Sequence, residues 1–353
     1  MTNFIIGIAG TAKNTGKTTA LAALLSEIRP EPGPTTALTS IGYDGEHFDN
    51  LTGLPKPRIS VVQGEILAVA ERCLHSGDAA LEVLQKTDLP SPLGKIVIGR
   101  VTRPGQIVLA GPNKRRDLAA IIDRFTELGA GLTIVDGALS RIAPLAAAQA
   151  LLLCTGAARH RDLNLLAAET KLVVEILKTP ALKERGLAAR LTSVLNRAGF
   201  DQFMAAVRKS ETIHLDGIFS ELYYSEFLEQ AGDLAGRRLI FADSVKLLLS
   251  GDAGATRRLI DGLKAKGMRV GVGAGPNLAA VAVNPYYPKY RYDLKEYEAA
   301  YVDQDELLAR LSAGLTVPVF DVVRQGGRGL YEALLGEHNI TKGPDWFSRW
   351  GSL

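Results

Sequence analysis

Residues 10–19 read Gly10-Thr11-Ala12-Lys13-Asn14-Thr15-Gly16-Lys17-Thr18-Thr19, a polar run that ends in Gly-Lys-Thr. The chemistry open to these residue types at this spacing is the binding of a polyphosphate. Glycine at 16 lets the backbone approach an anion, and the amides of the loop and of a following helix point at it. The Lys17 ammonium would neutralise β- and γ-phosphate charge, and the Thr18 hydroxyl would ligate magnesium. Gly10, Thr11, Lys13, Asn14, Thr15 and Thr19 complete the candidate nucleotide-binding set. The spacing departs from G-x-x-x-x-G-K-[ST], because position 11 is Thr and the first glycine, Gly10, stands one place early. A chance Gly-Lys-Thr is the alternative. Asp136 closes the apolar run Leu132–Val135, and a carboxylate at the tip of a buried strand can hold magnesium through water. Asp136-Gly137 reads equally as a turn.

These residues need elements to position them. Phe4–Ala9 is a short apolar run that predicts a buried parallel strand. Lys17–Ile28 carries Leu21, Leu24, Leu25 and Ile28 at helical spacing, stopped by Pro30. Thr36–Ile41 predicts a second strand, which completes a strand–helix–strand unit around the loop. Asp44 and Glu46 follow that strand and face the same sheet edge. Further on, the pattern predicts a helix at Glu65–Leu74 and strands at Lys95–Val101 and Gln106–Ala110, joined through Pro104-Gly105 as a hairpin-like insertion over about residues 85–112. A helix at Arg116–Leu128, a strand at Ala150–Cys154, a helix at Asp162–Leu177 and a strand at Leu191–Asn196 follow. The expected fold is α/β, a doubly wound, mostly parallel sheet. A second α/β rhythm after Gly236 includes strands at Arg238–Ala242, Arg269–Gly273, Leu278–Asn284 and Val317–Val322 and a helix at Thr256–Lys266. The expected domains are therefore 1–232, which binds nucleotide, and a smaller C-terminal α/β region, 233–353.

The spacing Gly10-Thr11 … Gly16-Lys17-Thr18 resembles dethiobiotin synthetase and the MinD-like branch of P-loop NTPases. That resemblance implies ATP and Mg2+ as ligands. It also implies a role for Asp44 in contacting magnesium or orienting the attacking water, against a plain Asp-Gly turn. An asparagine at a late strand end reads adenine in those relatives, which points to Asn196, with a helix or turn cap as the alternative. Lys13 stands one residue out of register with the lysine that MinD/ParA-type proteins place across a homodimer interface; a solvated loop lysine, or one touching the same bound nucleotide, is the alternative. Residues 12–18, Leu38–Gly42, Asp44-Gly45-Glu46 and Pro55–Ile59 together look like the P-loop subunit of lysine 5,6-aminomutase reactivase. This implies an ATPase that reactivates a cobalamin-dependent aminomutase, with a MutL/MutS-like second subunit and the aminomutase as partners. A small-molecule ATP-dependent ligase and a nucleotide switch without turnover are the alternatives.

Composition narrows the rest. The 353 residues are 46% hydrophobic and 22% charged, with no three-residue or heptad period, which excludes a disordered, collagen-like or coiled-coil chain. The 41 basic residues against 38 acidic give only +3, with no dense basic stripe, so no nucleic-acid partner is expected. Two cysteines exclude a disulfide scaffold, and the five histidines lack metal-ligand spacing. Arg159-His160-Arg161 could meet a phosphate or a partner. No run approaches the ~18 apolar residues of a membrane span, and the N-terminus lacks a basic n-region, so a cytoplasmic protein is expected. Residues 285–292, dense in Tyr and Pro, read either as a partner-docking surface or as an ordinary loop.

Overall fold

The computed structural model describes residues 3–30, 33–44, 59–138, 145–146 and 148–336. The chain divides into two compact units, one formed by Met1–Leu166 with Ala279–Leu353, the other by Ala167–Leu278.

In the first unit, β1 (Phe4–Gly10) is almost wholly buried, as an unbroken apolar run must be when both its neighbours are parallel strands. α1 (Lys17–Ile28) buries Ala20, Leu21, Leu24 and Leu25, the apolar stripe expected of it. β2 (Thr35–Ser40), β3 (Tyr43–Asp44), β4 (Ile59–Val61), β5 (Ile66–Ala70), β6 (Ala80–Ser91), β7 (Gly94–Arg103), β8 (Gly105–Ile107) and β9 (Leu109–Ala110) follow. α2 (Arg115–Glu127) packs Leu118, Ile121, Ile122 and Phe125 inward, and leads to β10 (Ala130–Ala138) and β11 (Ala150–Gly156); α3 (Leu163–Leu177) then carries the chain out of this unit, the second beginning at Ala167.

Two expectations for this stretch are corrected. Residues 65–74 do not form a helix: β5 and a single 3₁₀ turn, Glu71–Cys73, take their place. The run Ile66-Leu67-Ala68-Val69-Ala70 is buried throughout, and a short apolar run of that kind suits a central strand as well as a helix. The hairpin is β6–β7, closing at Ser91↔Gly94, and not a pair joined through Pro104-Gly105. The Ser91 hydroxyl builds that turn, accepting from Leu93 N and donating to Gly94 O. β8 pairs instead with β4, and β9 with β3.

The second unit holds β12 (Ala188–Leu191), α4 (Arg197–Lys209), β13 (Thr212–Leu215), α5 (Tyr224–Gln230), β14 (Arg238–Asp243), α6 (Ser244–Leu248), α7 (Ala253–Ala265) and β15 (Arg269–Ala274). Its sheet runs β12-β13-β14-β15, all parallel. The boundary expected at 232/233 falls inside this unit. Leu228 of α5 and Gly262 of α7, one on either side of it, are in contact: a Cβ on Gly262 would lie 2.8 Å from Leu228 Cδ2. The strand expected at Leu191–Asn196 is replaced by β12, which ends at Leu191 and opens this second sheet.

The chain then returns to the first unit through β16 (Asn277–Asn284), β17 (Tyr286–Arg291), β18 (Glu296–Tyr301), α8 (Gln304–Gly314), β19 (Val319–Phe320), α9 (Val322–Gln325) and α10 (Arg328–Leu335). The smaller α/β unit is thus an insertion in the chain and not a C-terminal region. The first sheet has the order β19-β16-β11-β1-β10-β2-β5-β7-β6, mostly parallel, with β6 and β7 antiparallel. From β1 the chain passes to β2, beyond β10 on one side, while β11 lies on the other. Strand order reverses at β1, and the carboxyl end of such a switch point is where open α/β sheets leave a crevice.

Candidate functional site

β1 delivers Gly10 to that edge, in register with Ala138 of β10 and Cys154 of β11. The segment from Thr11 to Gly16 is then held by four hydrogen bonds, three to the ends of sheet strands and one within the loop. Thr11 N donates to Cys154 O at 2.9 Å, and the Thr11 and Thr155 hydroxyls meet at 2.9 Å. Within the loop, the Thr15 hydroxyl donates to Ala12 O at 2.9 Å. Asn284 Nδ2, at the end of β16, donates to Asn14 O at 2.8 Å. Asn14 (φ 62°) and Gly16 (φ 85°) are left-handed, with Thr15 between them and the helical Lys17 after. Alternation of this kind turns successive amides inward and makes an anion-binding concavity. A left-handed conformation suits glycine, and a Cβ at 16 would also stand 3.1 Å from Asn284 Cβ.

α1 begins at Lys17 with no side chain capping its N-terminus and no acid in its first turn. Its first amides therefore keep their donors, and its dipole its positive end, for a ligand. Thr18 and Thr19 occupy that first turn, half-buried, and Lys13 is exposed on the loop. The Lys17 stem folds over Gly10, where a Cβ would lie 2.8 Å from Lys17 Cδ. This close approach explains glycine at position 10. Lys17 Nζ ends 3.2 Å from Asp136 Oδ1; the lysine side chain is 12% exposed and the carboxylate 0%. Cys154 lies within electrostatic reach of both. Burial pushes its thiol far above the usual range, and Lys17 offsets this only in part.

The donor set tests well against a magnesium polyphosphate. A left-handed turn, an uncapped helix start and the Lys17 ammonium are chemistry that suits an anion, and the buried Asp136 carboxylate beside that ammonium is a donor that suits a cation.

The structure brings together Gly10, Thr11, Lys13, Asn14, Thr15, Gly16, Lys17, Thr18, Thr19 and Asp136. Asn196 belongs to the other unit. There its Oδ1 accepts from Gly199 N at 2.9 Å and caps α4, the alternative reading of that residue. The main chain of Asp44 lies in β3 opposite Leu109, while its side chain, Glu46 and residues 55–58 lie outside the described residues. The residue the sequence reading missed is Asn284. It too ends a late strand, but β16 belongs to the loop's own sheet, beside β11, and β12 does not. Sheet membership, which a single strand's pattern does not encode, separates the two. Among the described residues no group of three or more His, Cys, Asp and Glu side chains could hold a metal ion.

No protein-family model matches the chain, and no curated protein matches it at a significant level. The class the molecule defines is α/β with a large, mostly parallel central sheet, and no helix among the described residues is long and apolar enough to cross a membrane.

Proposed function

We propose that the chain is a P-loop ATPase that binds Mg-ATP in the loop from Gly10 to Thr19. The observation that carries this reading is the Lys17–Asp136 pair at the mouth of the left-handed loop. A lysine and a carboxylate held together out of water are a costly arrangement, and interacting titratable groups of this kind cluster at functional sites. On this reading Lys17 turns from Asp136 to the phosphate oxygens, and the inward amides hold the β-phosphate. Thr18 and Asp136 would hold Mg2+, which supplies neutralisation of charge developing on the transferred phosphoryl group. Water takes the phosphoryl group, giving ADP and phosphate, with Asp44 as the residue proposed to orient it.

Adenine reading passes from Asn196 to Asn284. The Asn284 amide spends one N–H on Asn14 O and one lone pair on Tyr286 N. It keeps one N–H and one lone pair, which match the N7 acceptor and exocyclic amine of adenine. Coupling of hydrolysis to reactivation of a cobalamin-dependent aminomutase, with a MutL/MutS-like subunit, follows from the sequence resemblance and extends this reading.

Titration calorimetry with Mg-ATP on wild type, Lys17→Ala and Thr18→Ala tests the proposal. Binding is expected in wild type and lost in Lys17→Ala, with the magnesium dependence weakened in Thr18→Ala. Unchanged ATP affinity in a folded Lys17→Ala protein sinks the assignment. Phosphate release that rises when an aminomutase is added would support the client. Turnover that requires a metabolite would favour a ligase.

A further inference from the structure

The segment that follows Asn284 is a two-stranded antiparallel ribbon, β17–β18, and not a loop. Its register, Tyr286↔Tyr301, Pro288↔Ala299 and Tyr290↔Tyr297, places those six residues on one face, because side chains alternate along a strand. Tyr292, just past β17, sets its ring edge-on to Tyr290 with centroids 5.0 Å apart. The opposite face takes the charge. There Arg291 bridges Asp293 and Glu298, Lys289 reaches Glu298 at 3.5 Å, and Arg161 lies over the Tyr287 ring. The tyrosine face is thus uncharged, and it is open: Tyr290, Tyr292 and Tyr301 are 38, 86 and 61% exposed.

We propose that this face is a docking surface for a proline-rich, extended segment of another protein. The inference stands independently of the nucleotide reading. Rings that meet at 63–88° and stand partly exposed offer flat faces on which pyrrolidine rings pack, and each ring carries a phenol hydroxyl. A polyproline II segment has solvated carbonyls to accept from those hydroxyls and loses little entropy on binding. Other occupants fit less well. A nucleic acid or an anionic headgroup needs cations, and among the described residues this face has none. Addition of a partner strand is opposed at β17 by Pro288, which has no N–H, and at β18 by Glu296 and Glu298, whose charges guard the edge. A second copy needs area: six rungs of two strands cover roughly 200 Å2 by strand dimensions, against about 800 Å2 per partner in a stable dimer.

The test uses the full chain and a fluorescent ten-residue polyproline peptide, with a Gly-Ser peptide of equal length as control, followed by anisotropy. Saturable binding of polyproline alone is expected. Tyr292→Ala and Tyr301→Ala, which remove exposed rings and leave the fold intact by circular dichroism, should each weaken it several-fold. Tyr287→Ala, on the opposite face, should leave it unchanged. The proposal is overturned if polyproline fails to saturate, if the Gly-Ser peptide binds equally, or if neither tyrosine variant changes affinity. Sedimentation showing a dimer that the two tyrosine variants abolish would assign the face to a second copy and overturn it as well.

Discussion

Lys17 is usually thought of as a residue a phosphate-binding fold can lose without harm, since its charge serves the ligand. Here its ammonium stands 3.2 Å from a carboxylate with no solvent exposure, so the free protein depends on it too. Removing one member of a buried pair leaves the other's charge poorly compensated, at about 3 kcal/mol. Lys17→Ala should therefore lower the denaturation midpoint of the free protein, and adding Asp136→Asn should restore most of the loss. Urea titration of the two variants checks this; a double variant no more stable than the single one would show that the pair is not the cause. The two asparagines separate in the same way. Asn196→Ala removes an N-cap and should cost about 1 kcal/mol, with ATP affinity and the ATP-to-GTP ratio unchanged. Asn284→Ala should leave α4 untouched and bring the ATP and GTP affinities closer. An altered nucleotide ratio in Asn196→Ala instead would return adenine reading to that residue.

At the scale of elements, what was legible followed from burial on both sides. α1 and α2 carry apolar stripes at helical spacing, β1 and β11 carry short apolar runs that end in glycine, and the loop from Gly10 to Thr19 was found because it lies between two of these elements. β5 was misread as a helix because five consecutive buried residues fit either period, and its partners β2 and β7 decide the matter from 30 residues away. The position of Asn284 was illegible for a related reason: that β16 joins β11's sheet after an insertion of 112 residues (167 to 278) is a fact of topology. The loop itself yields an element-scale prediction. Gly16→Ala places a Cβ on a left-handed residue and against Asn284, so it should lose about 1–2 kcal/mol of stability through strain, and shift the loop. Nucleotide affinity should fall further than that cost alone predicts. Calorimetry showing wild-type affinity would mean that the loop's left-handed turn does not form the binding concavity.

For the whole molecule, the consequence is that one chain builds two cores and places every candidate phosphate ligand in one of them. The first unit holds the loop, Asp136 and Asn284; the second holds Asn196 and a parallel sheet that runs in sequence order with no reversal. A ligand stabilises only what it binds in the folded state, and at a hundred times its dissociation constant the gain is roughly 2.7 kcal/mol. Hydrogen exchange with saturating Mg-ATP should therefore slow amides in peptides covering residues 10–20, 134–138 and 282–286. It should leave β12 to β15 exchanging as they do in the free protein. The sheet order supports this asymmetry, because a sheet without reversal lacks the crevice where α/β folds bind ligands. Protection that appears first in residues 188–274, with the loop amides unchanged, would move the nucleotide site to the inserted unit and remove Lys17 and Asp136 from the chemistry. Protection in both units at once would show that they open as a single cooperative body, in which case destabilisation from Lys17→Ala and Asn196→Ala should lower one shared midpoint and not two.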